Sequence, residues 1–350
     1  MNDFQPKFLI SNAIARDLTT IERARGFFQA ATLSDQWIAR MSERAMLLEA
    51  YHTTHIEGTQ LTLEQSEILL AGGTVDGASP DDVRELLNYR EAFDLVSQYL
   101  LSGAPVTETL IREIHRRLVE GVRGNAGQPG AYRQLQNAVV NSQTGQVIYT
   151  PPAWADVPGL MAQLVQWINR ETDIHPILVA GLAQFQLVHI HPFVDGNGRT
   201  SRLLSTLCMY RQGYDFKRLF TISEYYDRDR RAFYAAIQGV RDSGMDHTGW
   251  LEFFCQGLAT QMQEAVERGT RAIKADLAVR GSGLPARAAD ILYCLSDEQP
   301  RTIEDLEKEI AGSHRRTLQR DLKKLIELGF IESIGQARAT QYCFKDGGFE

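Results

Sequence analysis

The strongest constraint on this chain lies in twelve consecutive residues, His191-Pro192-Phe193-Val194-Asp195-Gly196-Asn197-Gly198-Arg199-Thr200-Ser201-Arg202. An apolar helical run, Ile177 to Ile190, ends just before them, and a second, Leu203 to Tyr210, follows at once. A glycine-bearing turn between two such helices aims the free amides and the positive dipole end of the second helix at one point. That is the arrangement a phosphate-binding turn requires.

The side chains suit the same chemistry. Gly196 and Gly198 let backbone N–H groups close on an anion, and Asn197 tolerates the left-handed region and can donate to a phosphate oxygen. Arg199 and Arg202, three apart, share a helical face and present planar forks for bidentate phosphate contacts. Asp195 offers the hard oxygen that Mg²⁺ takes when it also bridges phosphates. His191, with an unperturbed pKa of about 6.5, is largely neutral at pH 7 and fit to take a proton from a hydroxyl. A calcium loop is excluded by the missing downstream Glu and spaced acids. His189, two residues before His191, has metal-like spacing but no further ligands nearby, and reads as structural.

The segment resembles the signature of the Fic family, His-Pro-Phe-x-(Asp/Glu)-Gly-Asn-Gly-Arg-x-x-Arg, at every defining position. The resemblance implies a helical-bundle core and transfer of AMP from ATP to a Ser, Thr or Tyr hydroxyl of a protein. On that analogy His191 is the general base and Asp195 holds Mg²⁺ on the α- and β-phosphates. Asn197, Gly198 and Arg199 stabilise the phosphates, Arg202 holds the terminal one, and Phe193 packs inward to fix the loop. Gly196, Thr200 and Ser201 complete the expected nucleotide-binding stretch. Upstream, Gly130-Ala131-Tyr132-Arg133, Asn137 to Asn141, Ser142 to Gly145 and Gln146 to Pro152 read as a hairpin about a Thr-Gly turn. They resemble the family's flap, and residues 137–149 are expected to dock the protein substrate by main-chain pairing. Downstream, Ile222 to Tyr226, Tyr234 and Trp250 to Phe254 resemble the family's later helices. Tyr225 and Tyr226 are candidates to border the adenine by stacking, with core packing as the alternative.

A second feature lies at the end of an amphipathic run that starts near Gln36 and is marked by Leu47, Leu48, Tyr51 and Ile56. Here Thr53-Thr54-His55-Ile56-Glu57-Gly58 resembles the family's inhibitory-helix motif, (Ser/Thr)-x-x-x-Glu-Gly, through Thr53 and Glu57. The resemblance implies that Glu57 pairs with Arg202 and denies it to the γ-phosphate. A carboxylate placed there also suits the reverse reaction, removal of AMP from a modified protein, and the sequence leaves the direction open.

The remainder of the chain bounds these readings. In its 350 residues, hydrophobic content of 43% and charged content of 23% are those of a globular protein, and the net charge of −7 argues against a chain built mainly to coat nucleic acid. No stretch approaches a membrane span, and Met1 to Ile10 lacks a signal-peptide pattern, so a cytoplasmic protein is expected. Cys208, Cys255, Cys294 and Cys343 are scattered and read as reduced thiols.

Periodicity places helices at Leu33–Tyr51, Leu63–Leu70, Asp81–Leu101, Thr107–Gly121, Val157–Arg170, Ile177–Ile190, Thr200–Arg211, Arg230–Arg241 and Thr248–Ala272, with Thr107, Thr200 and Thr248 as N-caps. A linker at Arg280–Pro285 precedes three helices and two strands in the order of a winged helix-turn-helix. The expected fold is therefore mainly α: an N-terminal helical region at 1–100 with the inhibitory helix, a catalytic bundle with its flap at 101–272, and a winged module at 284–350. The module's third helix carries Arg315, Arg316, Arg320, Lys323 and Lys324 against Asp321 and Glu327. Across residues 284–350, however, ten basic residues face twelve acidic ones. That balance favours a docking or regulatory appendage over a DNA-binding regulator with a nucleotide-sensing core, which stands as the alternative. The sequence leaves the oligomeric state open, and the resemblance to a family whose members often form dimers makes a homodimer one candidate.

Overall fold

The computed structural model describes residues 4–140, 145–170, 172–282, 284–295, 300–310, 312–335 and 340–345. Helices account for most of them: α1 (Asn12–Ala30), α2 (Asp35–Ile56), α3 (Leu63–Leu70), α4 (Pro80–Leu101), α5 (Glu108–Val119), α6 (Val157–Asn169), α7 (Pro176–Ile190), α8 (Asn197–Arg211), α9 (Ile222–Arg228), α10 (Arg230–Asp242), α11 (Thr248–Gly281), α12 (Ala286–Cys294), α13 (Ile303–Glu309) and α14 (Arg315–Glu327). Five short strands complete the set: β1 (Val139–Val140), β2 (Val147–Tyr149), β3 (Arg301–Thr302), β4 (Ile331–Ile334) and β5 (Gln341–Phe344). The mainly α expectation holds, and α1, which has no counterpart among the expected helices, adds to it.

Two compact units emerge, residues 1–25 with 42–262 and residues 26–41 with 263–350. The segment with Thr53 and Glu57 and the helices around residues 191–202 share the first unit. In that unit α7 and α8 pack against each other at the centre. Helix α7 is apolar on nearly every side, and Ile177, Leu182, Phe185, Leu187 and Ile190 are fully buried. A helix of that composition is stable only inside a core. Leu203, Leu204 and Leu207 of α8 are buried with it. The loop that joins these two helices, residues 191–196, is therefore held from both sides by the best-packed part of the unit.

Helix starts follow local chemistry. Thr107 accepts the Leu110 N–H as the N-cap of α5, and Ser79 does the same for α4 ahead of Pro80. The expected cap at Thr200 is corrected: α8 begins three residues earlier, with Gly196 as its N-cap in the left-handed region at φ 77°. Thr200 instead returns its hydroxyl to the Gly196 carbonyl at 2.8 Å. The earlier start brings Asn197, Gly198 and Arg199 onto the helix itself.

The flap strands β1 and β2 pair antiparallel, Val139 with Tyr149 and Val140 with Val147, with an irregularity between the two pairs. The expected turn residues 141–144 lie outside the described set. In the second unit the order α12, β3, α13, α14, β4, β5 carries a three-stranded sheet ordered β3-β5-β4. This is the element order expected of a winged helix-turn-helix, with β3 as an unforeseen third strand. Gly283 of the expected linker, Ala311 and the hairpin tip at 336–339 lie outside the described residues, and α11 runs through Gly281, nine residues past its expected end. Residues 26–41 belong to this unit because Trp37 is buried, Ser34 bonds Tyr293 at 3.0 Å and Gln36 bonds Asp290 at 2.8 Å.

Glu49, buried in the middle of α2, fixes that helix against the start of α9. Its carboxylate accepts the Thr221 hydroxyl at 2.5 Å, the Ser223 N–H at 3.1 Å, the Ser223 hydroxyl and the Tyr89 hydroxyl at 3.3 Å. Removing the acceptor strands buried donors. Glu49→Ala is therefore expected to lower stability by about 3 kcal/mol, read as a fall in the denaturant midpoint at unchanged slope; a loss below about 1 kcal/mol would show that water satisfies these donors.

Candidate active site

The loop is closed by contacts to its own backbone. Asn197 donates to the Phe193 carbonyl and accepts the Phe193 N–H, both at 3.0 Å. One N–H of its amide thus holds the loop shape. Phe193 is buried, as expected, and stacks on His115 of α5 at 3.7 Å with the rings 4° apart. His115 accepts the Gly130 N–H on Nδ1 at 3.0 Å, so Nε2 carries the proton and donates to the Asp195 carbonyl at 2.9 Å. A Cβ at Gly196 would meet Val119 at 2.7 Å, so both its left-handed backbone and its packing require glycine.

Arg133, from the segment leading into the flap, is buried without a carboxylate. It donates to the carbonyls of His191 at 2.9 Å, Pro152 at 2.6 Å and Leu135 at 3.3 Å, and its own N–H meets the Pro192 carbonyl at 2.9 Å. These carbonyls include the C-terminal end of α7, where a cation is favoured. Burial lowers the Arg133 pKa, yet the group stays charged. Tyr149 of β2 ties the flap to α7 from the other side, through His189 Nδ1 at 2.8 Å and the His189 carbonyl at 2.9 Å. His189 is thus structural, as its lack of further ligands implied. Arg241 lies 3.5 Å over the Tyr149 ring.

His191 caps α7 in the left-handed region at φ 50°, with Nδ1 buried and the Val188 carbonyl near its ring. Burial lowers its pKa to about 4. Arg202 is 2% exposed. Its guanidinium donates to the Thr53 hydroxyl at 2.7 Å, the Thr53 carbonyl at 3.0 Å and Glu57 Oε1 at 2.7 Å. Burial disfavours its charge, but Glu57 outweighs that and holds its pKa above the ordinary value. The pairing expected of Thr53, Glu57 and Arg202 is therefore present in the geometry. Beyond Glu49, the end of α2 is held by Asp227 of α9, whose Oδ2 lies 2.8 Å from both His52 and His55.

Arg199 is also taken. It is 1% exposed and donates to Glu85 of α4 at 2.7 Å, and Glu85 is itself 1% exposed. Arg123 bridges the second Glu85 oxygen at 2.7 Å and Asp195 Oδ2 at 2.8 Å. Burial raises the Glu85 pKa against the pull of both arginines. Glu85, Arg123 and His115 escaped the sequence reading. Their signals were present: Glu85 lies in a stripe with Tyr89, Ala92 and Val96, and His115 in one with Ile111, Ile114 and Leu118, both polar groups inside apolar faces.

Other candidates fall elsewhere. Thr200 and Ser201 are buried and spend their hydroxyls on the carbonyls of Gly196 and Gly198. Tyr226 is a correction: it is fully buried, stacked on Phe233 at 4.3 Å and against Trp250 and Phe253, so it packs the core and borders no open site. Tyr225 leans on Phe253 at 5.4 Å and close over Gly257 of α11. Tyr234 of α10 is half exposed and near enough to feel the charges of Glu57 and Arg202.

Asp195 is the one loop carboxylate, 44% exposed, with Oδ1 on the Gly196 N–H at 2.6 Å. Among the described residues no group of three or more His, Cys, Asp or Glu is placed to hold a metal ion. A single hard oxygen beside an anion-binding helix start does fit a Mg²⁺ ion shared with substrate phosphates and water.

A buried helical hairpin thus brings His191, Asp195, Arg199 and Arg202 together around one turn, with Glu57 paired to Arg202. Residues 105–209 match the Fic/DOC family and residues 31–98 match its N-terminal region. It is similar to the protein adenylyltransferase Fic of Drosophila erecta, 34% identical over 59% of this chain and 40% of that protein. The protein of the same name from Drosophila melanogaster is 36% identical over 57% and 39%. The chain thus spans about two-fifths of the length of the curated relatives it matches. A Fic family protein from Desulfovibrio desulfuricans shares the fold over 98% of this chain and 99% of its own, with a TM-score of 0.67 at 23% identity. Fic-1 from C. elegans, residues 134–508, aligns over 76% and 74% with a TM-score of 0.60 at 27% identity.

Two outcomes follow from this geometry. A methyl group at residue 198 would collide with Glu57 Oε1. Gly198→Ala should therefore cost about 1–3 kcal/mol in the wild type and clearly less in the Glu57→Gly background, an interaction read by a double-mutant cycle. His115, His189 and His191 are each lowered by burial from 6.5 to about 4. Their neutral forms stabilise the fold fully above pH 6.5, and that contribution is lost as pH falls toward 4. Thermal unfolding followed from pH 7 to 4 should show this decline, and imidazole NMR signals that titrate near 6.5 for these residues would contradict it.

Proposed function

We propose that the chain is a protein adenylyltransferase that its own Glu57 holds inactive. The observation that carries this reading is the Glu57–Arg202 contact at 2.7 Å, made by the helix that follows the loop base His191. An anion-binding arginine buried against a carboxylate on another segment is a site occupied by a competitor. The adenylyltransferase name of the relatives supports the activity.

In the proposed reaction the oxygen of a target Ser, Thr or Tyr attacks the α-phosphorus of ATP. His191 takes the hydroxyl proton; because its Nδ1 is buried, Nε2 is the nitrogen left to receive it. Pyrophosphate leaves with the bonding pair, and Arg199, Arg202 and the Gly198 amide meet the developing charge. Mg²⁺ held by Asp195 would supply charge neutralisation on the phosphates. A base with a pKa of about 4 is weak. The polyphosphate's negative charge raises that value once it is bound, which couples base strength to nucleotide occupancy.

A target segment would dock on the flap. Val140, Val147 and Ile148 are exposed there, with Leu135 and Trp154 at its base. Strands this short and apolar invite pairing with an extended segment. For the C-terminal unit a docking role is favoured over duplex DNA. Much of the basic surface of α14 is already matched by acids, Arg315 by Glu304 and Glu307, and Lys323 by Glu327.

Incubation with α-labelled ATP and Mg²⁺, followed by intact mass, tests the reading. Glu57→Gly should raise AMP incorporation about 10- to 100-fold, the equivalent of one lost charge-assisted contact. Adding His191→Ala to that variant should cut it by about 10²–10⁴. Equal labelling of wild type and Glu57→Gly would overturn autoinhibition. Loss of AMP from a pre-modified target with wild type, but not Glu57→Gly, would assign the reverse direction.

A further inference from the structure

Arg123 has no place in the chemistry described so far, yet it touches the expected metal ligand. It follows α5 in a short turn, Val122–Asn125, in which three consecutive residues are left-handed: Arg123 at φ 46°, Gly124 at 65° and Asn125 at 63°. An arginine in that region is strained, and such strain persists only where surrounding contacts over-determine it. Those contacts are present. The Arg123 N–H meets Asp81 at 2.8 Å, the Gly121 N–H meets the Asn125 side chain at 2.6 Å, and Asn88 donates to the Glu120 carbonyl at 2.9 Å.

The strained backbone aims the guanidinium at two carboxylates. One amino group donates to Asp195 at 2.8 Å and the other to Glu85 at 2.7 Å. The second Glu85 oxygen takes Arg199 at 2.7 Å, and Arg199 returns to within 3.9 Å of Asp195. Two carboxylates and two guanidiniums thus form a closed, electrically neutral ring. Its members differ in access to water. Glu85 and Arg199 are 1% exposed, whereas Arg123 and Asp195 are 50% and 44% exposed.

That asymmetry determines which contacts can exchange. Asp195 is able to accept a different cation because both it and Arg123 reach solvent. Glu85 is not able to stand alone, since an unpaired buried carboxylate is strongly disfavoured. When Arg199 turns toward a phosphate, the remaining cation for Glu85 is Arg123, already hydrogen-bonded to it.

We propose that Arg123 is a resident cation that occupies the metal-ligand carboxylate of Asp195 when no nucleotide is bound, and that shifts wholly onto Glu85 when a divalent ion takes Asp195 and Arg199 takes phosphate. This rests on the adenylyltransferase reading and adds a second gate, set against the metal ion and separate from Glu57. Arg123 is a positioning residue: it acts through Asp195 and Glu85 and contacts no reacting atom.

The test is equilibrium Mn²⁺ binding, followed by electron paramagnetic resonance at saturating non-hydrolysable ATP analogue, on the full chain carrying Glu57→Gly. Adding Arg123→Gln should lower the half-saturating Mn²⁺ concentration about 5- to 10-fold, since one charge-assisted contact no longer competes. Arg123→Lys keeps the charge without the two-pronged fork and should fall between. Asp195→Asn should abolish the signal in every background, which ties the readout to this carboxylate. Unchanged or weaker Mn²⁺ binding by Arg123→Gln, with thermal stability retained, overturns the proposal. Failure of the Glu57→Gly parent to incorporate AMP, with Mn²⁺ still bound, would instead count against the adenylyltransferase reading alone.

Discussion

The first unit is organised around one buried positive charge. Arg202 is carried into the interior by α8, whose neighbours Leu203 and Leu204 are fully buried. A guanidinium in that position needs fixed acceptors whether or not a ligand is present. Thr53 and Glu57 supply them. The end of α2 is therefore a structural partner and, by the same contacts, a competitor for any phosphate that would use Arg202. The rest of α2 is fixed accordingly. Glu49 is anchored to the start of α9 and His52 and His55 to its end, so Glu57 arrives at one place.

Two kinds of contact divide the site. Loop shape is held by groups that meet backbone: Asn197 on Phe193, His115 on the Asp195 carbonyl, Arg133 on the carbonyls that end α7. None of these has to break for a phosphate to enter. The pairs of opposite charge, Arg202 with Glu57, Arg199 with Glu85 and Arg123 with Asp195, do have to exchange. Preorganised backbone and exchangeable charge are thus separated by residue. A bound anion can be recognised without rebuilding the loop.

How much of this could be read from the sequence varied with the kind of interaction. The loop, the helices around it and the Thr53–Glu57 segment were legible because each is local: glycine spacing, 3.6-residue periodicity and cap residues are written in consecutive positions. The start of α8 was placed late because Thr200 looks like a cap, whereas Gly196 in the left-handed region opens the helix. Tyr226 illustrates the opposite failure. A tyrosine in an aromatic-rich helix reads equally as a base-stacking residue or as core, and only Phe233, Trp250 and Phe253 closing over it decide the matter. Glu85, His115 and Arg123 were invisible as partners because their contacts to Asp195 and Arg199 span 72 to 114 positions, although the first two broke apolar stripes. A polar residue inside such a stripe is the signal to follow.

Burial then explains why the three carboxylates facing the loop arginines are not equivalent. Glu57 is 25% exposed and sits on a segment end, so it can turn to water at little desolvation cost. Asp195 is more exposed still and can change its cation in place. Glu85 has neither option, because burial disfavours its charge and raises its pKa. A polyanion that draws Arg199 and Arg202 away must therefore leave a guanidinium behind for Glu85. Among the described residues Arg123 is already bonded to Glu85, and its strained backbone makes sense as the cost of placing a spare cation between a fixed carboxylate and a replaceable one.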